Sequence, residues 1–150
     1  MRIKKNEIAK KASYINTKPR LGILSYTIGK KPRVPLSNFH ELALAGKKRN
    51  ISIIVFLPQD VDWSARKVNG WILEGEEGSA PKWKRSQLPL FTVVYNRIRN
   101  RKTERRTEVR DFFRDMEFRK IPYFNPSFLD KWTIWKWIRR DQEVGEHLPH

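Results

Sequence analysis

The stretch ISIIVFL, residues Ile51–Leu57, is the clearest predicted strand in the sequence. Apolar residues, most of them β-branched, occupy both alternating sets of positions, so both faces of this strand are apolar. Such a strand is typical of the centre of a sheet that helices cover on both sides. The stretch therefore predicts an α/β fold built around residues 51–57.

Strands and helices alternate outward from this stretch. The other predicted elements, in chain order, are a strand over Leu21–Ile28, a helix over Leu36–Lys48, a hairpin of Lys67–Glu74 and Lys82–Ser86 with Gly75, Gly78 and Pro81 at its turn, a strand over Phe91–Arg97, a helix over Thr103–Arg119, a short strand Tyr123–Phe124 and a last helix from Phe128. The alternation predicts a small, mainly parallel sheet flanked by helices, with a β-hairpin insertion.

The last predicted helix is apolar on nearly all sides. Asn125-Pro126 indicates an extended dipeptide followed by a helix start. A helix of this composition must be covered nearly all round, and only residues 139–150 follow it. We therefore expect it to dock against a further unit that is absent from the chain, or to self-associate. The interface residues expected on this helix are Phe128, Lys131, Trp132, Trp135 and Trp137.

Size and composition place the chain among folded single domains. It has 150 residues, of which 39% are hydrophobic, and no cysteine. The absence of cysteine fits a reducing cytoplasm and excludes disulfides and thiolate metal sites. The longest apolar run, Ile53–Leu57, is far too short to span a membrane. We expect a cytoplasmic protein without a membrane span.

The net charge of +16 makes polyanions plausible partners. Residues 1–20 predict a basic N-terminal arm. A small basic nucleic-acid-binding module is therefore the alternative function, although it is not favoured. The helix over Thr103–Arg119 places carboxylates beside its arginines, as a solvated surface helix does, and the six tryptophans are spread along the chain rather than grouped for stacking on bases.

Two carboxylates, Asp60 and Asp62, follow the central strand. Ligands of parallel sheets bind at the carboxyl ends of the strands, and this pair could hold a divalent cation with a phosphorylated ligand. Equally, either aspartate could cap a turn or the next helix. A phosphate-binding loop is not indicated, because Glu76 stands where a loop from Gly70 to Gly75 would need lysine.

Polar residues also follow two other predicted strands. Asn96 and Arg97 end the strand over Phe91–Arg97, and the guanidinium suits a carboxylate or phosphate, or else an ion pair with Glu104 or Glu108. Asn125 follows Tyr123–Phe124 as either a ligand group or a turn former. Substrate-binding candidates are thus Asp60, Asp62, Asn96, Arg97 and Asn125, with no catalytic or metal-binding residue assigned.

Several segments occur in an order found in one known family. They are Leu21–Leu24, Val55–Phe56 with Pro58 and Asp60–Trp63, Val68–Gly70, Val93–Arg97 and Phe124–Trp132, with Leu148-Pro149 near the end. With these segments, residues 20–149 resemble the YheC/YheD family of endospore-coat-associated, ATP-grasp-like proteins. Asp60–Trp63 and Phe124–Trp132 are specific in combination. His150 departs from the family, which has glutamate after its Leu-Pro.

The resemblance implies a pre-ATP-grasp domain of a carboxylate–amine ligase-like, spore-associated protein. Residues 21–124 would be this domain, and residues 125–150 a connector helix and the truncated start of the ATP-grasp unit. ATP and Mg²⁺ are implied only for full-length relatives, whose ATP-grasp unit supplies their ligands. The resemblance therefore implies that this chain alone binds no cofactor and is not catalytic, and that Arg97 orients an acidic substrate group.

Overall fold

The structure, a computed structural model, describes residues 18–27, 33–75, 80–127 and 131–140. Parts of several predictions lie outside these residues. They concern most of the basic arm, the end of the first predicted strand at Ile28, the turn residue Gly78, the interface residue Phe128, and residues 141–150 with His150. The division into residues 1–20, 21–124 and 125–150 stays a prediction.

The described elements follow the predicted order, with an additional short strand at Val61–Asp62 and with two helices in place of the one predicted over Thr103–Arg119. The strands are β1 (Arg20–Leu24), β2 (Ser52–Phe56), β3 (Val61–Asp62), β4 (Lys67–Glu74), β5 (Lys82–Pro89), β6 (Val93–Asn96) and β7 (Tyr123–Phe124). The α-helices are α1 (His40–Lys48), α2 (Arg101–Glu104), α3 (Thr107–Phe118) and α4 (Lys131–Arg139), with 3-10 turns at Leu36–Phe39 and Pro58–Asp60. Within the described residues, no helix is both long and apolar enough to cross a membrane.

The strands form one sheet whose two halves differ in direction. Its order is β3-β4-β2-β1-β6-β7. Strand β5 lies off this path and pairs with β4 along its whole length. The half made of β2, β1, β6 and β7 is parallel, whereas β4 pairs antiparallel with β2, β3 and β5. The α/β prediction is confirmed. The sheet is mixed rather than mainly parallel, because the predicted hairpin joins it through β4 instead of standing apart.

Two apolar cores lie on opposite faces of β2, as its sequence predicts. Ile53 and Val55 pack with Phe39 in one core, and Gly46 of α1 lies against Ile53 on this side. Ile54 and Phe56 face the other core, whose α3 residues are Val109, Phe112 and Met116. Because side chains alternate along a strand, β2 can fill both cores at once.

The approach of β4 to β2 depends on a glycine. An added Cβ at Gly70 would meet the main-chain carbonyl oxygen of Val55 and lie 2.8 Å from the Cγ1 atom of Ile54. The carbonyl belongs to the central strand, so it cannot move away as a flexible side chain would. Gly70 therefore sets how closely the hairpin packs on the parallel half.

We expect Gly70→Ala to lower the free energy of unfolding by about 2–3 kcal/mol, because the methyl group overpacks this strand junction. Chemical denaturation followed by circular dichroism measures the change. Asn69→Ala, at the exposed preceding position of β4, is the control and should change stability by less than about 0.5 kcal/mol. Equal stabilities for the two variants would contradict the close approach.

Candidate functional site

The parallel strands end together at one edge of the sheet. Leu24 of β1 is aligned with Phe56 of β2 and with Asn96 of β6, and Tyr95 is aligned with Phe124 of β7. The chain leaves β1 for β2 on one side, while β6 lies on the other side of β1. This arrangement is a topological switch point, where open α/β sheets bind ligands.

Asn96 is the fixed polar residue of this edge. It is fully buried, and its Oδ1 accepts a hydrogen bond from the Ile98 backbone N–H at 3.0 Å. Its Nδ2 donates to Glu104 Oε1 at 3.3 Å, and Glu104 is in turn paired with Arg101 at 3.6 Å. Since both ends of the Asn96 amide are held, its side chain acts as a support rather than a free ligand group.

Asn125 is brought beside Asn96 by the β6–β7 pairing. Its Nδ2 donates to the backbone oxygen of Asn96 at 2.8 Å. Its φ of 56° is left-handed, a conformation that asparagine tolerates better than most residues. Asn125 thus gives the chain a left-handed residue directly after β7 and ties it to β6, while its role as a ligand group stays a prediction.

Arg97 lies at the same edge on an aromatic support. Its Nη1 donates to the Tyr95 hydroxyl at 3.2 Å, and its Cζ lies 5.4 Å from the centre of that ring. Tyr95 stacks on Phe124 with ring centres 4.5 Å apart. The guanidinium is thus held over the β6–β7 surface by packing and one neutral hydrogen bond.

The predicted ion pairs of Arg97 with Glu104 or Glu108 are wrong. Glu104 pairs with Arg101, and Glu108 pairs with Arg106 at 3.9 Å. Among the described residues, no carboxylate forms a salt bridge with Arg97. Glu104 and Glu108 thus pair with arginines near them in sequence, and Arg97 is left without a salt bridge to a described carboxylate.

Ser25 also belongs to this edge, although it is not among the substrate-binding residues that the sequence predicts. It directly follows β1 and is fully buried, and its Oγ has no hydrogen-bond partner among the described residues. Buried hydroxyls are nearly always hydrogen-bonded, so one without a partner indicates a water or ligand site. In the sequence, Ser25 is the polar residue that follows the apolar run Leu21–Leu24. Because the predicted strand continues to Ile28, Ser25 is placed inside that strand rather than at its end.

Asp60 and Asp62 make the capping contacts that were the alternative to cation binding. Asp60 Oδ2 accepts from the Leu57 N–H at 2.8 Å, and Asp62 Oδ1 accepts from the Ala65 N–H at 2.8 Å. Asp60 is also paired with Arg85 of β5. The described residues hold no group of three potential metal ligands. A substrate-binding role for either aspartate stays a prediction.

Of the interface residues predicted on the last helix, Lys131, Trp132, Trp135 and Trp137 lie on α4, and Phe128 lies outside the described residues. Lys131, Trp132 and Trp137 are exposed, Trp135 is half-buried, and no residue of α4 is buried. Neither apolar core includes a residue of α4. Docking against a further unit and self-association both stay predictions.

The edge residues together offer the chemistry of anion binding. Arg97 supplies a positive charge, the Asn125 amide already donates to the Asn96 backbone, and the Ser25 hydroxyl is fully buried behind this edge. A guanidinium binds carboxylates and phosphates through charge-assisted hydrogen bonds. The charged group that this edge offers to an anion is the Arg97 guanidinium.

One comparison with known proteins is informative. Residues of this chain are 29% identical to Endospore coat-associated protein YheD of Bacillus subtilis over 96 residues, which is 63% of this chain and 20% of that protein. The chain thus spans about a fifth of the length of the relative it matches. No family model matches the chain, and no solved structure matches it significantly. The similarity supports a distant YheD-like relation.

We expect Asn125→Ala to destabilise the chain about 1 kcal/mol more than Asn125→Gly does. Both variants lose the hydrogen bond to Asn96, but only alanine is strained at this left-handed φ. Denaturant unfolding measures both. Asn50 has a φ of 57° and is the matched control. Its side chain forms no hydrogen bond with a described residue, so Asn50→Gly should lower the free energy of unfolding less than Asn125→Gly does. The reverse ranking would contradict the bond between β7 and β6.

Tyr123 makes the attachment of β7 to α3 sensitive to alkaline pH. Burial raises the pKa of Tyr123, and the hydrogen bond from its hydroxyl to Glu117 Oε1 at 3.0 Å, with the charge of that carboxylate, raises the pKa further. A raised pKa means that the folded chain holds this proton more tightly than the unfolded chain. The resulting stability is complete below the unfolded pKa of about 10 and is lost as pH rises through the folded pKa.

The free energy of unfolding should therefore fall as pH rises above about 10, and Tyr123→Phe should make this fall shallower. Glu117→Gln removes the carboxylate and should have an intermediate effect. Denaturant titrations at several alkaline pH values measure the slopes. Identical slopes for the parent chain and Tyr123→Phe would contradict the assignment.

Proposed function

We propose that this chain is the substrate-side domain of a spore-associated, ATP-grasp carboxylate–amine ligase-like protein, and that it is not catalytic by itself. The observation that carries the proposal is the switch-point edge, where Arg97 follows β6 and, among the described residues, forms no salt bridge with a carboxylate. The similarity to Endospore coat-associated protein YheD supports the spore association.

In this proposal the edge holds an acidic group of the substrate. Arg97 binds the carboxylate, Asn125 and Ser25 add hydrogen bonds, and Asn96 keeps the Asn125 turn in place. Asp60 and Asp62, fixed by their capping bonds, shape the neighbouring part of the same edge. Holding the substrate in one orientation lowers the entropy cost of its later reaction.

ATP and Mg²⁺ would be bound by a further ATP-grasp unit, to which α4 would connect. That unit would supply the acyl-phosphate chemistry, since the edge residues named above offer binding groups rather than a nucleophile–base pair. The domain would then contribute substrate binding and orientation.

Nucleic-acid binding receives less support from the surface of α3. Arg114 is paired with Asp111 at 2.8 Å, and Arg119 with Asp115 at 3.0 Å. Carboxylates on the same helix face repel phosphates and neutralise the arginines beside them. The charged flanks of α3 fit the solvated surface helix that its sequence predicts.

The binding role is tested by titrating the isotopically labelled chain with L-glutamate, a simple amino-acid carboxylate, and following the NMR signals. We expect shifts concentrated at Ser25, Asn96, Arg97 and Asn125. Arg97→Gln should weaken binding about tenfold or more, because a charge-assisted hydrogen bond is lost.

Arg99→Gln is the matched control, since it removes the same charge two residues away at an exposed position. It should leave the glutamate affinity within about twofold, as screened surface charges contribute little. Equal weakening by the two variants, or shifts spread over the whole basic surface, would refute a defined edge site.

The chain by itself should not hydrolyse Mg²⁺–ATP, because the ATP-binding unit is a separate part of the proposed protein. A phosphate-release assay on purified chain measures this. ATP hydrolysis that co-purifies with the chain and disappears in Arg97→Gln would contradict the proposal that a separate unit binds ATP.

A further inference from the structure

Helix α4 presents large apolar side chains to solvent. Trp132 is 60% exposed, Trp137 is 55% exposed and Ile134 is 37% exposed. No residue of the helix is buried. Trp137 lies on the same side of the helix as Ile134, while Trp132, five positions earlier, lies on another side. Exposed apolar side chains of this size mark a surface that binds a partner.

The same helix is strongly basic. It carries Lys131, Lys136 and Arg139, and Arg140 follows directly after it. Residues 131–140 contain no aspartate or glutamate. The Lys136 ammonium lies 5.1 Å from the centre of the Trp132 ring, and the Arg139 guanidinium lies 4.9 Å from that of Trp135. Positive charge is thus held directly beside the aromatic rings.

We propose that α4 docks the chain on an anionic membrane surface, lying in the plane of the headgroups without crossing the bilayer. Basic helices with tryptophan on their apolar side bind in this way. Tryptophan favours the boundary between headgroups and acyl chains, since its ring is apolar and its N–H needs a polar partner. Lysine and arginine beside it reach the lipid phosphates.

Charge complementarity favours a membrane over a second copy of this chain. An α4-to-α4 dimer would bring the same cations together, and the nearest carboxylates in sequence, Asp130 and Asp141, lie outside residues Lys131–Arg139 of the helix. Like charges at an interface oppose association. The overall charge of +16 adds to this repulsion, whereas it attracts the chain to a negative bilayer.

The aromatic geometry favours a membrane over nucleic acid. Trp132 and Trp135 already stack on each other, with ring centres 4.9 Å apart and planes inclined by 7°. Cations also lie over both rings, so a base that stacks on this pair would have to displace them. The exposed aliphatic Ile134 gains nothing from a phosphate backbone but is stabilised in the acyl-chain boundary.

The test uses the full chain with vesicles of phosphatidylcholine alone and of phosphatidylcholine mixed with phosphatidylserine. Binding is measured by co-sedimentation, and insertion by quenching of tryptophan fluorescence with brominated lipids. We expect binding to the mixed vesicles only, weakened by salt, with quenching that is lost in Trp132→Ser/Trp137→Ser. Phe118→Ser changes an 82% exposed aromatic residue on α3 and should leave binding unchanged.

The contribution of charge is tested by Lys136→Gln/Arg139→Gln. Each cation near the surface raises lipid affinity about fivefold, so the double variant should bind about 20- to 30-fold more weakly. Lys47→Gln/Lys48→Gln makes the same charge change at exposed positions of α1 and should weaken binding about threefold or less. Circular dichroism and thermal melting check that each variant is folded.

Equal losses in the two charge variants would overturn the proposal, since binding would then follow net charge rather than α4. Binding to single-stranded DNA or RNA that displaces the chain from vesicles, and is lost in Trp132→Ser/Trp137→Ser, would overturn it in favour of nucleic acid. Sedimentation velocity showing a dimer that the same variant dissociates, without vesicle binding, would overturn it in favour of a second copy.

Discussion

The parallel pairing of β1 with β2 on one side and β6 on the other is the constraint on which the structure depends. This pairing places the ends of three strands at one edge, and the β6–β7 ladder adds a fourth. Asn96, Arg97 and Asn125, which are separated by up to 29 positions in sequence, meet there because their strands are in register. A one-residue slip would turn each of them to the opposite face.

Burial on both faces of β2 makes this pairing stable. Ile53 and Val55 lie in one core and Ile54 and Phe56 in the other, so β2 cannot leave the centre of the sheet without exposing both. The hairpin of β4 and β5 then extends the sheet in the antiparallel sense, and the pair between Arg85 of β5 and Asp60 ties it to the end of β2. Asp60, whose position after β2 suggests ligand binding, thus also stabilises the contact between the hairpin and β2.

The two proposed surfaces differ in how they hold positive charge. At the sheet edge, Arg97 is half-buried and supported by Tyr95, which suits selective binding of one anionic group. On α4, Lys136 and Arg139 lie over Trp132 and Trp135. Cations beside large aromatic rings suit a membrane surface, where anionic headgroups cover an apolar layer. The edge and α4 share no residues, so both can operate in a protein whose α4 connects to the further unit without being covered by it.

The sequence by itself determined the order of the elements, the central strand and its two buried faces, and the apolar character of the last helix. These follow from local periodicity and composition, which a chain carries wherever it folds. Only the tertiary structure decided that the hairpin joins the sheet, that Asp60 and Asp62 make capping bonds, that Glu104 pairs with Arg101 rather than Arg97, and that the Ser25 hydroxyl is buried. Those outcomes depend on strand pairing between distant residues and on competition among nearby partners, neither of which is encoded in the spacing of residues along the chain.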